Sequence, residues 1–135
     1  NKEGYLEMLI NEVLHKVSEK NLAEYIDIFC ETGYFSVADT ELILEAGKKY
    51  GLIPKIHVNQ FTAIGGVQAG IKFNALSVDH LEEMRDEDIA ALKGTQTMPV
   101  ALPPKSLSAA SIRPKPCPPP TATTFLSLLI FIVFF

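Results

Sequence analysis

The sequence predicts an α/β fold built on a parallel sheet. Strand and helix signals alternate from Asn1 to about Pro103. The connections between them are short, which is the mark of βαβ units. The chain has 135 residues and 47% hydrophobic content, ordinary for one small domain. A closed (β/α)8 barrel needs about 250 residues. The pattern therefore suits either a doubly wound sheet or about half of a barrel, and it does not separate the two.

The elements follow in order. From about Tyr5 to Lys20, Leu6, Leu9, Ile10, Val13, Leu14 and Val17 recur at helical spacing. Tyr25–Phe29 reads as a short strand. A helix follows from Ser36, an N-cap residue with Asp39 in the capping-box position, and Gly51 is its natural stop. Pro54–Asn59 is the second strand. Gly65-Gly66 opens a short helix that runs to about Phe73. Leu76-Ser77-Val78 is the third strand. Asp86-Glu87-Asp88 places acids at the positive end of a last helix, with Lys93 and Gly94 at its close. Thr95–Ala101 is the fourth strand.

The character changes after Pro103. Pro104 to Thr124 is rich in proline, serine and alanine, with Pro118-Pro119-Pro120 at its centre. Such a segment cannot bury a core and is expected to be disordered. The chain closes on the apolar run Phe125–Phe135. That run falls short of the roughly 20 residues a membrane-spanning helix needs. It is aromatic, uncharged and β-prone, an aggregation hazard in water. The division expected is thus 1–103 for the α/β unit and 104–135 for the tail. The start, Asn-Lys-Glu-Gly, lacks both an initiator Met and a signal-peptide pattern and reads as the start of a fragment.

Charge and cysteine usage narrow the partners. The formal net charge is −4 with no basic patch or stripe, which argues against nucleic acid as a partner. Cys30 and Cys117 have neither zinc-type nor redox-type spacing. A reducing cytoplasm is the simpler location for them.

The candidates for chemistry are histidines. His15 sits among charged neighbours on the first helix and reads as a solvated helix residue. His57 lies near the C-terminal end of the second strand, and His80 holds the matching place one βα unit later. In parallel α/β folds those strand ends face the active site. Neighbouring strands lie about 4.8 Å apart, so two such imidazoles could reach one metal ion or one water. The competing reading is that both are hydrogen-bonded packing residues, and spacing alone leaves this open. A catalytic zinc needs about three protein ligands, and no His-x-His pair is present. Gly65-Gly66 is a glycine pair at a helix start; turn chemistry explains it more simply than an anion cradle.

Several stretches together resemble the middle of imidazolonepropionase. They are Ile26-Asp27-Ile28-Phe29-Cys30-Glu31, Phe35-Ser36-Val37, Ile43-Leu44-Glu45-Ala46-Gly47 and Lys55-Ile56-His57-Val58-Asn59-Gln60-Phe61 with Ile64-Gly65-Gly66. Ala75-Leu76-Ser77-Val78-Asp79-His80-Leu81 and Gly94–Pro103 complete them. The resemblance runs from about Tyr5 to Pro103. It implies a partial (β/α)8 TIM barrel of the amidohydrolase superfamily. The activity it implies is metal-dependent hydrolysis of 4-imidazolone-5-propanoate to N-formimidoyl-L-glutamate, in histidine degradation, with one zinc or iron ion. His57 matches the family's metal-ligand histidine on the fifth barrel strand. His80 matches the catalytic histidine that orients or deprotonates the attacking water. Gln60 matches the substrate-contacting position three after the ligand. Many relatives carry Glu there, and Gln cannot act as a base, so hydrogen bonding to the ring is the role left to it.

The family's His-x-His would lie before Asn1. Its metal-binding Asp would lie after Pro103, where the tail has no such motif. The isolated chain is therefore expected to be inactive. Its partner is expected to be the small-molecule substrate; membrane association is not expected, and oligomeric state is open. Two other classes compete: another amidohydrolase such as a ring deaminase, and a non-enzymatic tail-anchored protein. Residues after Pro103 are expected not to be family sequence, with a reading-frame shift the preferred origin. Read one base later, codons for the family's Tyr-Thr-Pro can give Ile-Arg-Pro, and Ile112-Arg113-Pro114 stands close to that place.

Overall fold

A computed structural model describes residues 2–101 and the backbone of Ile130–Val133. The first helical stretch comes in three parts: α1 (Lys2–Met8), a π-helical turn (Leu9–Val13) and α2 (Leu14–Glu19). The wide turn has a reason in the sequence. Leu6, Leu9, Leu14 and Val17 are the buried positions. The five-residue step from Leu9 to Leu14 is too long for one face of a regular helix. A π turn closes i to i+5, and Leu14 N–H donates to the Leu9 carbonyl.

Strands β1 (Tyr25–Cys30), β2 (Ile53–Val58), β3 (Ser77–His80) and β4 (Met98–Ala101) alternate with α3 (Val37–Lys49), α4 (Gly66–Lys72) and α5 (Asp86–Leu92). Ser36 and Asp39 form the expected capping box on α3. The third strand lies later than its apolar triplet suggested and includes His80. All strand pairs are parallel, and β1 to β4 lie side by side in chain order.

That order decides between the two architectures. A doubly wound sheet reverses its strand order at a switch point and carries helices on both faces. From β1 to β4 the order does not reverse, and α3 and α4 lie on one face. Ile26, Ile28 and Cys30 of β1 register with Pro54, Ile56 and Val58 of β2, and Val78 of β3 with Ile56. The helices approach these residues through glycine. A Cβ on Gly47 would lie 2.8 Å from Ile26 Cδ1, one on Gly66 2.6 Å from Val58 Cγ1, and one on Gly70 2.7 Å from Val78 Cγ1. The chain is part of a (β/α)8 barrel, with its helices outside.

The apolar run that closes the chain was placed in the tail, apart from the α/β unit. Ile130–Val133 instead form β5, parallel to β1, with Tyr25 opposite Ile130 and Ile28 opposite Val133. An open edge presents unpaired N–H and C=O groups, and an apolar, β-prone segment of the same chain is suited to satisfy them. The rest of the tail, including Cys117, Ile112-Arg113-Pro114 and the proline-rich stretch, lies outside the described residues. No helix among the described residues is long and apolar enough to cross a membrane.

Candidate active site

Residues of alternate parity on the strands face away from α3 and α4. They are Asp27 and Phe29 on β1, Lys55 and His57 on β2, and Ser77 and Asp79 on β3, aligned by register. A solvent-facing strand face is polar as a matter of course, but Asp27 is only 1% exposed. A buried carboxylate needs a partner. It has one: His57 Nδ1 lies 2.9 Å from Asp27 Oδ1 and 2.8 Å from Oδ2. The Asp27 hydrogen bond raises the His57 pKa, against the opposing effect of burial. Beside this pair, Ser77 Oγ donates to Asp79 Oδ2 at 3.1 Å, and Lys55 Nζ lies 3.9 Å from the same oxygen.

His80 reaches the site by breaking the strand's alternation. Its register partner is Val58, which is fully buried against the helices. Regular pleating would send His80 to that same covered face. Instead His80 has φ 85° and Leu81 φ 63°. Positive φ is uncommon for bulky residues and marks a backbone constrained by its surroundings. The turn leaves the His80 and His57 rings 5.1 Å apart at 53°. His80 Nδ1 also lies 3.4 Å from Glu82 Oε1.

The loop after β2 carries Gln60, half-buried, and Phe61, exposed, at this same end of the sheet. Phe61 packs edge-on against Phe29 at 6.4 Å. Gly65 has φ 105°, and Gly66 sits where any side chain would strike Val58. The glycine pair therefore serves turn and packing. His15 is exposed on α2, its ring 6.4 Å from Tyr50, far in sequence and structure from this face.

The fit of a metal to these residues is partial. With Nδ1 committed to Asp27, His57 presents Nε2, and a carboxylate behind a histidine is a common outer-shell arrangement in metal sites. Yet no group of three His, Cys, Asp or Glu side chains among the described residues is placed to hold an ion. The described residues do not make a catalytic metal centre by themselves. An open cleft nearby is lined by Glu31, Tyr34, Ser36 and Ile64 among others, and neither histidine is among its lining residues.

Sequence reasoning passed over Asp27, Glu31 and Asp88. Asp27 had left a signal, a single acid inside an otherwise apolar strand on the same parity as Phe29. Asp88 had been read only as a helix-start acid.

No family model matches the chain. Individual relatives do. It is 63% identical to the imidazolonepropionase of Flavobacterium johnsoniae over 103 residues, 76% of this chain and 25% of that protein. Against the imidazolonepropionase of Christiangramia forsetii it is 64% identical over 105 residues, 78% of this chain and 26% of that protein. The imidazolonepropionase of Thermoanaerobacter pseudethanolicus is 44% identical over 103 residues, again 76% and 25%. Over this stretch the chain is similar to imidazolonepropionases. It spans about a quarter of the length of these relatives.

Proposed function

We propose that this segment supplies one side of the active site of an imidazolone-ring hydrolase, a metal-dependent enzyme of histidine degradation in the cytoplasm. The observation that carries the reading is the paired approach of His57 and His80 at the C-terminal end of the sheet, 5.1 Å apart. It lies in a chain with imidazolonepropionase relatives at 63% and 64% identity. The substrate class is a small cyclic amide, 4-imidazolone-5-propanoate, opened by water to N-formimidoyl-L-glutamate.

Each residue has a role that its surroundings support. Asp27 fixes the imidazole of His57 so that Nε2 faces the open side of the sheet. There it would be one ligand to a zinc or iron ion whose other ligands come from outside the described residues. His80, turned to the same face, would orient the attacking water or hold its proton. Gln60 would donate or accept a hydrogen bond at the ring; its amide is no base.

The isolated chain should not turn over, since His57 and His80 do not amount to a metal site. Imidazolone hydrolysis is measured with purified chain in the presence of zinc or ferrous ion. No activity above that of His57→Ala is expected. Turnover that His57→Ala abolishes would sink this reading.

The tail is proposed to be foreign to the family, produced by a shift of reading frame near Pro103. Translation of the surrounding nucleotides in all three frames should restore barrel sequence ending in a strand with a metal-binding Asp. If no frame does so, the shift is ruled out.

A further inference from the structure

Gln60 stands between two anchored points, and each anchor is a buried carboxylate from a different βα unit. On the far side of Gln60, Glu31 lies at the end of β1 and is 1% exposed. It accepts from Phe61 N at 2.9 Å and Thr62 N at 3.2 Å through Oε2, and from Thr32 N at 2.8 Å through Oε1. The Thr62 hydroxyl donates to Oε1 as well. Glu31 is itself pinned, its N–H to the Phe35 carbonyl and its carbonyl to Tyr34 N.

On the near side, Asn59 is 1% exposed and takes φ 55°, the left-handed region. Its Nδ2 donates to the Glu83 carbonyl at 2.8 Å and to Asp88 Oδ2 at 3.2 Å. The Asn59 carbonyl accepts from Glu83 N at 2.8 Å. Asp88 is fully buried and is held in turn by Gln68 Nε2 at 2.7 Å and by Arg85 Nε and Nη2 at 3.0 Å. Hydrogen bonds to a charged acceptor are roughly twice as strong as neutral ones. A three-residue link anchored at both ends by such bonds has little freedom left.

We infer that Glu31 and Asp88 are positioning residues that clamp the loop after β2 from both sides and hold Gln60 at the open face of the sheet. Neither carboxylate belongs to the histidine pair. Glu31 acts through the amides of Phe61 and Thr62, and Asp88 acts through Asn59. The consequence for Gln60 rests on its proposed contact with substrate, whereas the clamp is read from the hydrogen bonds alone.

Residue-resolved amide exchange on the full chain tests it. Glu31→Gln keeps the volume but turns an NH2 group toward N–H donors. Exchange at Phe61 and Thr62 is expected to rise at least tenfold, with Ile56 and Val78 unchanged. A side chain that only filled space would leave Phe61 and Thr62 protected in this variant, and that result overturns the clamp. A rise shared equally by Ile56 and Val78 also overturns it. Should Glu31→Gln not fold, Thr62→Val removes one donor at the edge of the cluster. It should speed exchange at Phe61 and Thr62 severalfold, and no change there counts against the clamp. Asn59→Gly keeps the left-handed backbone but drops the link to Asp88. It should speed exchange at Glu83 more than at Thr62; equal or no effect rejects the second anchor. Gln60→Ala bears on the substrate reading alone, because it leaves both anchors in place.

Discussion

The two faces of this sheet are built on opposite rules. Toward α3 and α4, Ile26, Ile28, Cys30, Ile56, Val58 and Val78 are fully buried, and glycines let the helices close on them. Toward the other side the same strands carry Asp27, Lys55, His57, Ser77 and Asp79, tied by ion pairs and hydrogen bonds. The first face supplies the stability and the second supplies polar groups in fixed positions. Neighbouring residues on one strand should therefore differ sharply in what they contribute. Ile56→Ala should destabilise the chain by about 3 kcal/mol, the usual cost of truncating a buried aliphatic side chain. Lys55→Ala, one residue away, should cost under about 1 kcal/mol, since its partly exposed ion pair spans 3.9 Å. Urea unfolding of both variants makes the comparison, and equal costs would break it.

The covered face was the legible one. Apolar runs located the strands β1 to β4 and apolar spacing the first helix, because burial selects residue types that periodicity can detect, while end signals located α3, α4 and α5. The Ser36 and Asp39 cap was legible for the same local reason. The open face was legible only in part. His57 and His80 stand out as residue types, and strand position places both at one end of the sheet. Their closeness was readable from neighbouring strands, but the left-handed backbone at His80 that brings the rings to 5.1 Å was not, because no local residue pattern announces it. Glu31 and Asp88 were missed because their partners lie about 30 and 20 to 29 residues away in sequence. Strand β5 was missed because the pairing of Ile130–Val133 with β1 is set by which edge is vacant, not by its own sequence.

Acid should act on the buried carboxylates that surround the open face. Burial pushes the Glu31 pKa up, but hydrogen bonds from Thr62, Phe61 and Thr32 outweigh it and leave it lowered. Asp88 behaves likewise, burial opposed and overcome by hydrogen bonds from Arg85 and Gln68. A carboxylate with a lowered folded pKa contributes stability that is complete above its unfolded value, here 4.5 for Glu31 and 3.8 for Asp88. That contribution is lost as pH falls through the folded pKa. The unfolding midpoint should thus drop on acidification below about pH 4.5, starting from Glu31. Glu31→Gln should flatten this acid limb while lowering the plateau at neutral pH. An acid limb of unchanged slope in that variant would show that the carboxylate is not its source.

Asp27→Asn should have the smallest effect on stability and the most specific one on the site. Asparagine keeps an acceptor for the His57 Nδ1 proton, so ring orientation should survive. The charge is gone: the hydrogen bond, the largest cause raising the His57 pKa, now comes from a neutral acceptor and favours the imidazolium less, and the coulombic attraction of Asp27 is lost. Burial then acts with less opposition, and the imidazole should titrate lower than in the parent chain. In the parent the sign runs the other way from the carboxylates. A raised histidine contributes stability that is complete below its unfolded pKa of 6.5 and lost as pH rises through the folded value. The variant should lose that alkaline decline while its neutral-pH midpoint stays close to the parent's, because His57 can shed its proton and leave no unpaired buried charge, the condition that makes a broken pair costly. Titration of the His57 ring by NMR reads the shift directly. An unchanged titration point in Asp27→Asn would mean that Asp79 or another group sets it, and that Asp27 does not hold the imidazole through its charge.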